Sequence, residues 1–330
     1  MLHRNLTPMA RRRSLSELRS SAIARMHAPS SGRGAGYRSV FRPGLFEGRV
    51  VVVTGGGSGI GRCTAHELVA LGAAVALVGR RPDKLERVAA ELVQAGGRAS
   101  CHPLDIRDEP AVQAGVAQVL ATHGRIDGLV NNAGGQFPGA AESFSLKGWD
   151  AVIRNNLTGG FLMSREVFVR WMKDHGGAIV NIIADIWGGM PSMAHSGAAR
   201  AGTLNLTQTL ASEWAPSGVR VNAVAPGWIA SSGMETYPEP VKARLAQQWR
   251  AVPLQRYGSE AEVSAAIVFL LSEAANFVTG DCIRVDGGVP NARPNHPAQP
   301  LRVRDSAAQR TFDGFHLSSP PAFMTIDPEA

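Results

Sequence analysis

Cysteine is scarce in this chain: Cys63, Cys101 and Cys282 are the only three in 330 residues, and no two are close enough to form a paired metal-binding motif. A disulfide framework is therefore not expected, nothing around them resembles a nucleophile signature, and the thiols suit a reducing compartment. No metal site is expected either. Long apolar runs are missing as well; no stretch of 18 or more apolar residues occurs, so nothing reads as a membrane-spanning helix. Acids are nearly absent from the first 42 residues, where nine arginines stand against Glu17 alone. That segment contributes +8 to a total of +7, which leaves the rest of the chain at −1. The basic character thus belongs to one end, and the remainder lacks the electrostatic footprint of a nucleic-acid binder. Tyrosine occurs only three times, at Tyr37, Tyr237 and Tyr257.

What is present is a regular alternation. Short apolar runs at Val50–Val53, Ala74–Val78, Ala99–Leu104, Gly128–Val130, Ala178–Ile183, Arg220–Ala225 and Cys282–Val285 read as strands. Segments of helical period, such as Ile60–Leu71 and Asp83–Gln94, separate them. This pattern predicts an α/β fold, a doubly wound parallel sheet of Rossmann type with helices on both faces, in one domain over residues 43–289. Residues 1–42 read as a basic extension in which Leu15, Leu18, Ala22 and Met26 would share one face of a short helix. A mitochondrial-type presequence, a disordered extension and a start placed too early all fit that composition, so the expected location is cytoplasmic or, with a presequence, the mitochondrial matrix. Residues 290–330 bring Pro290, Pro294, Pro297, Pro300, Pro320 and Pro321 with little periodicity and read as an irregular tail without a Ser-Lys-Leu-like ending.

Thr54–Gly61 spell TGGGSGIG between a strand and a helix, the setting a dinucleotide fingerprint requires. Gly55 permits the tight turn, Gly59 lets the backbone approach a pyrophosphate, and Gly61 allows close helix packing. Ser58 and Ile60 bracket a helix N-terminus whose free N–H groups suit phosphate. The second strand ends at Gly79-Arg80-Arg81, where an NAD enzyme would carry an acid for the ribose 2′-hydroxyl. Arg80 and Arg81 suit a 2′-phosphate instead, so NADP(H) is the expected cofactor, although Asp83 stands close by.

At this point the chain resembles the short-chain dehydrogenase/reductase family over residues 46–289. Asp105 matches the family's adenine-contacting acid, and Asn131, Asn132, Ala133 and Gly134 match its NNAG strand end. Asn156 matches its catalytic-site asparagine; Pro226, Gly227, Ile229 and Ser231 match the segment that holds the nicotinamide carboxamide. Thr279-Gly280 and Asp286-Gly287-Gly288 resemble the last strand, whose edge commonly contributes to a tetramer, so a homotetramer or homodimer is what the resemblance implies.

The family's acid is a tyrosine four residues before a lysine, but here Ser196 and Arg200 hold those positions within HSGAARAG, and no tyrosine lies near that helix start in sequence. The companion serine is also missing, because the strand end reads Asn181-Ile182-Ile183-Ala184-Asp185. A serine hydroxyl is too weak an acid to protonate an alkoxide as a phenol does. Reduction of an activated C=C bond demands less: hydride goes to Cβ, charge spreads into an enolate, and Cα takes a proton. HSGAARAG, with GGQF at 134–137, SLKGWDAVIRNNLTGGF at 145–161 and WMKDHGGAIVNII at 171–183, is similar to the peroxisomal trans-2-enoyl-CoA reductase group. That resemblance implies NADPH-dependent saturation of trans-2-enoyl-CoA or related acyl thioesters. It departs at Leu204, where that group carries the tyrosine credited as its acid.

Candidate replacements are Asp185, at the end of a central strand, and Ser196, as a donor to the enolate oxygen or merely a helix cap. His195 is a secondary candidate. Asn156 would order water or backbone beside the nicotinamide, and Arg200 would hold ribose hydroxyls. Lys242, Arg244, Arg250 and Arg256, within 232–256 where the family it resembles places its variable substrate lid, would meet CoA phosphates or form a solvated basic face. Two other readings stay open: an alcohol or carbonyl oxidoreductase, including a terpenoid type, and a nucleotide-binding subunit that has lost its acid.

Overall fold

The computed structural model describes residues 36–291, 298–299 and 307–325. The chain divides into the units Met1–Ala35 and Gly36–Ala330, and every described residue lies in the second. The helix and presequence expected around Leu15–Met26, and Pro294, Pro297 and Pro300, fall outside the described residues.

Seven parallel strands form one sheet in the order β3-β2-β1-β4-β5-β6-β7. They are β1 (Val50–Thr54), β2 (Ala74–Gly79), β3 (Arg98–Pro103), β4 (Gly128–Asn131), β5 (Gly177–Ile182), β6 (Val219–Pro226) and β7 (Cys282–Val285). The seven runs expected from the sequence are these strands, and the doubly wound Rossmann-type sheet is present. β1 shows why a continuous valine run marks a central strand. Val51 and Val53 enter one core layer and Val52 the other, and none is more than 1% exposed.

The helices used below are α1 (Gly59–Ala70), α2 (Pro82–Gln94), α3 (Glu109–His123), α4 (Leu146–Ile153), α5 (Gly159–Val167), α6 (Ala194–Trp214), α7 (Glu239–Leu245) and α8 (Glu260–Leu271). Their ends are set by local chemistry. Pro82 starts α2, Asp108 caps α3 by accepting from the Ala111 N–H, and left-handed Gly124 ends it. Ser259 and Glu262 form a reciprocal capping box at α8. A five-residue π turn, Arg154–Thr158, joins α4 to α5, and Asn156 sits in it. Among the described residues no helix is long and apolar enough to cross a membrane.

The C-terminal segment is irregular but belongs to the core, which differs from the division expected at 289/290. Phe315 is 1% exposed and packs on Cys63 of α1 and Ala261 of α8, flanked by Tyr37 and Phe312. Main-chain bonds hold it: the Arg38 N–H donates to the Gly314 carbonyl at 2.9 Å, and Ser259 Oγ donates to the Phe312 carbonyl at 2.8 Å. The boundary expected at 42/43 also falls inside packed chain, because Tyr37 Oη and Ser39 Oγ both donate to the buried Glu67 carboxylate. These anchors are single side chains on an irregular backbone, so no periodicity announces them.

Candidate functional site

Strand order reverses between β1 and β4, and the crevice beyond their C-terminal ends is where a doubly wound sheet places its ligand. A cleft of about 530 Å³ lies there, running from Arg80 and Asp105 at one end to Ser231 and Tyr237 at the other. Gly55 turns the chain out of β1 with φ +66°, and its N–H donates to the Val78 carbonyl of β2 at 2.8 Å. Gly61 faces inward: a Cβ there would come within 2.5 Å of both Asn132 Nδ2 and the Gly55 carbonyl. Only glycine lets α1 approach so closely. Ser58 precedes α1 without spending its hydroxyl on a cap, and no acid occupies the first turn. The N–H groups of that turn are therefore aimed at the cleft with a favourable dipole for phosphate.

Thr54 and Asn132 fasten this turn to the end of β4. Thr54 Oγ1 accepts from the Asn132 and Ala133 N–H groups at 3.0 Å, and Asn132 Nδ2 donates to the Thr54 and Gly55 carbonyls at 3.0 and 3.3 Å. The side chain of Asn132 thus serves the turn, while its backbone lines the cleft with Ala133 and Gly134.

At the far end Arg81 is held by Asp83 through two bonds of 2.9 Å, whereas Arg80 has no such partner and faces Asp105. Asp105 is paired with Arg107 at 2.6 Å, which, with the lesser pull of Arg80, holds its carboxyl below the usual range. Lys84, which the motif reading passed over, also lines this end, from the first turn of α2. Pro226, Gly227, Ile229 and Ser231 line the opposite end, together with Ile60, Ser58 and Gly59 at the turn. Of the expected cofactor residues only Gly61 is not on the cleft surface, in keeping with its packing role.

The catalytic candidates separate on inspection. Arg200 lies on the cleft, with Nη1 bonded to the Ile182 carbonyl and Nη2 about 2.5 Å from where a Cβ on Gly134 would stand. Its Nε is buried without a hydrogen-bond partner, and no carboxylate pairs with it among the described residues. Burial pushes this guanidinium down to about 10, so it stays charged at neutral pH. Asn156, 5% exposed, clamps Gly135: Nδ2 donates to its carbonyl at 2.7 Å and Oδ1 accepts its N–H at 3.1 Å. It therefore shapes the floor of the cleft rather than facing it. Ser196 is fully buried, and its hydroxyl donates to Gln136 Oε1. His195 is fully buried between Phe144, stacked at 4.2 Å, and Phe137, edge-on at 4.7 Å, and its Nδ1 accepts the Ser196 N–H.

Asp185 does not line the cleft. Burial raises its pKa; the Trp187 N–H opposes this, Asp286 adds to it, and Arg284 counters it. The basic lid candidates are largely engaged elsewhere. Lys242 pairs with Glu239 and Arg256 with Glu262, while Arg250 lies over the Trp249 ring. Among the described residues no group of His, Cys, Asp or Glu is arranged to hold a metal ion.

The sequence reading missed three further polar residues on the cleft, Gln136, Asn155 and Tyr237. Tyr237 lies after the 3₁₀ turn Ser232–Thr236 and meets Gln136 across a separation of 101 residues. No local pattern reveals such a contact. The turn is tethered by Glu260, which opens α8, is 6% exposed and accepts the Ser232 N–H. Burial pushes Glu260 up to about 7, against the pull of Arg62 and that N–H. A carboxyl raised on folding gives its full stabilisation below the unfolded value and loses it as pH rises through about 7. Urea unfolding between about pH 5 and about pH 8 should therefore show stability falling by on the order of 3 kcal/mol, and Glu260→Gln should flatten that slope. An unchanged slope in the variant would assign the titration elsewhere.

The residues fit a nicotinamide dinucleotide: a glycine cradle that a Cβ would fill, an uncapped helix N-terminus, and the cations Arg80 and Lys84 at the adenosine end. The family described as enoyl-(acyl carrier protein) reductase matches residues 55–290. The peroxisomal 2,4-dienoyl-CoA reductase of Danio rerio, a (3E)-enoyl-CoA-producing enzyme, is 39% identical over 257 residues, which are 76% of this chain and 85% of that protein. The probable 2,4-dienoyl-CoA reductase of Bacillus subtilis is 39% identical over 246 residues, 73% of this chain and 96% of that protein. Among solved structures, a citronellol catabolism dehydrogenase from Pseudomonas aeruginosa superimposes with a TM-score of 0.70 at 58% identity, covering 77% of this chain and all of that one. The sequence reading had singled out the trans-2-enoyl group, whereas the enoyl-forming relatives are named for dienoyl substrates. Fold, cleft and relatives agree at the level of the family: this chain is an oxidoreductase of the short-chain dehydrogenase/reductase family, whose members bind NAD(P).

Proposed function

We propose that the protein uses NADPH to reduce a C=C bond conjugated to an acyl thioester, with trans-2-enoyl-CoA as the simplest substrate and 2,4-dienoyl-CoA as the extended one. The observation that carries this reading is the start of α6. It presents no phenol, its serine hydroxyl is committed to Gln136, and its half-buried guanidinium meets no carboxylate among the described residues. The start of α6 therefore offers no acid for an alkoxide, while its cation is well suited to stabilising negative charge on an acyl oxygen.

In this reading the Gly55–Gly61 turn and α1 hold the pyrophosphate, Arg80 and Lys84 take the 2′-phosphate, and Asp105 borders the adenine. Ala133, Gly134, Pro226, Gly227, Ile229 and Ser231 frame the nicotinamide, which when bound supplies the hydride. Arg200 holds the ribose hydroxyls and extends its field to the acyl oxygen. As the hydride adds to Cβ, or to Cδ of a diene, the π electrons shift to that oxygen, and a proton then closes Cα. Asp185, whose pKa burial raises, is the candidate for that proton; it follows Ala184, which lines the cleft, but is not itself on the lining.

The test follows NADPH oxidation by the full chain with 2-enoyl- and 2,4-dienoyl-CoAs of several lengths. Turnover with a saturated or mono-unsaturated thioester product supports the reading; no turnover of any thioester overturns it. Asp185→Asn run beside it should lower kcat if that carboxyl delivers the proton. Arg80→Ala is expected to weaken NADPH roughly tenfold by fluorescence titration while leaving NADH unchanged. Arg81→Ala should do less, because Asp83 already holds Arg81.

A second reading, a terpenoid alcohol dehydrogenase, draws on the 58% identity to the citronellol catabolism dehydrogenase. Reduction of NADP⁺ by citronellol, with no thioester turnover, would favour it.

A further inference from the structure

We propose that Tyr237, on the lid, is the hydroxyl that meets the acyl oxygen, and that Gln136 and Ser196 are the positioning residues that hold it there. The inference rests on thioester reduction as the reaction. Its basis is the direction of one hydrogen-bond chain. Ser196 Oγ donates to Gln136 Oε1, and Gln136 Nε2 donates to Tyr237 Oη at 3.3 Å. Each link passes its hydrogen on, from a fully buried serine through the exposed Gln136 amide to the half-buried phenol. Tyr237 is left as the member whose own O–H finds no acceptor among the described residues, on the same cleft surface as Arg200 and Gly134.

This order has a chemical consequence. Ser196 stands where the family's acid would be, but its one hydrogen is already spent, so it cannot also serve an oxyanion. The donor has in effect moved two links along the chain, from α6 to the lid. An amide between the two fits the task. It accepts with one atom and donates with the other, so the hydroxyls at its ends take opposite roles: Ser196 must give and Tyr237 must receive. The phenol hydrogen is then oriented by the network before substrate arrives, as a preorganised oxyanion donor requires.

The rest of the setting supports a donor here rather than a mere lid contact. Tyr237 follows the Ser232–Thr236 turn, which is tethered to α8 through the Ser232 N–H and Glu260, while a β-bridge between Ile229 and Gly258 fixes the chain just before it. The chain leading into Tyr237 is thus held at two points without help from the Tyr237 hydroxyl, so removing that oxygen need not release the lid. When hydride adds to the conjugated carbon, the electron pair reaches the acyl oxygen. Tyr237 donates to that oxygen without transferring its proton, and the proton that completes the product goes to Cα.

The experiment compares the full-length protein with Tyr237→Phe, Ser196→Ala and the double variant, using NADPH and a 2-enoyl- or 2,4-dienoyl-CoA. Tyr237→Phe should lower kcat about a hundredfold, with substrate KM and NADPH affinity changed less than about threefold. Ser196→Ala should lower kcat about tenfold alone and add almost nothing to Tyr237→Phe, because both act through one chain. A second readout needs no turnover: binding of a 3-oxoacyl-CoA should bring up its enolate absorbance in the wild type and not in Tyr237→Phe. Wild-type turnover with an unaffected kcat and enolate band in Tyr237→Phe, or a change confined to KM, overturns the assignment and leaves thioester reduction standing. A wild type that reduces no thioester overturns both.

Discussion

Replacing Arg200 with alanine is expected to lower kcat/KM for an enoyl or dienoyl thioester by about 10²–10³, the scale for deleting one preorganised oxyanion-stabilising group. The argument is electrostatic. A half-buried cation with no carboxylate beside it is a destabilising arrangement in the resting protein, and burial pushes its pKa down to about 10. The same lack of a counter-ion leaves its field undivided when negative charge develops on a substrate oxygen in the cleft. Lysine at this position should recover part of the rate, since it restores the charge but not the bond from Nη1 to the Ile182 carbonyl together with the reach of Nη2 towards Gly134. The kcat–pH profile of the wild type should show no limb from this group below about pH 9. A rate in Arg200→Ala within threefold of wild type would remove the guanidinium from the chemistry. A denaturation curve of the variant separates a loss of folding from a loss of chemistry.

The second large effect concerns stability. Phe315→Ala should cost about 3–5 kcal/mol, the usual range for emptying a fully buried aromatic socket. The socket is formed by Cys63 and Ala261 with Tyr37 and Phe312 at its rim, and the Arg62 guanidinium lies 5.3 Å from the Phe315 ring centre. The measurement is urea unfolding of the full chain. A loss under about 1 kcal/mol would mean that the C-terminal segment rests on the body without contributing to it.

These two residues illustrate what the sequence discloses and what it hides. Arg200 was legible because it follows Ser196 by four residues in a recognisable helix start, and helix period fixes that relation locally. The strands were legible for a similar reason: a sheet buried on both faces demands uninterrupted apolar runs such as Val50–Val53. Phe315 was not, since one anchored ring in a proline-rich stretch has no period to detect. Tyr237 was hidden by distance, since it reaches Gln136 only after the chain has crossed β5 and β6 and turned back over the cleft. Asn132 and Asn156 were named from motifs, but a motif gives residue types and not bond directions. Their amides are consumed by Thr54, Gly55 and Gly135. Asp185 was judged by its strand end and by the apolar Ile186 and Trp187 that follow; burial is the main cause of its raised pKa, and the lesser contributions of Asp286 and Arg284, near the end of β7, are what no local pattern shows.

The anchoring of Phe315 against α1 also sets a rule for how the chain is made. Its socket includes Cys63, near the start of the folded body, and the plug arrives more than two hundred residues later, after every strand has been laid down. A ribosome delivers these pieces in order, so the groove between α1 and α8 stays open to solvent throughout synthesis. It closes only once the Phe315 segment has emerged. A product stopped early would carry all seven strands and an exposed apolar seam, the kind of surface that chaperones and proteases use to tell an unfinished protein from a finished one.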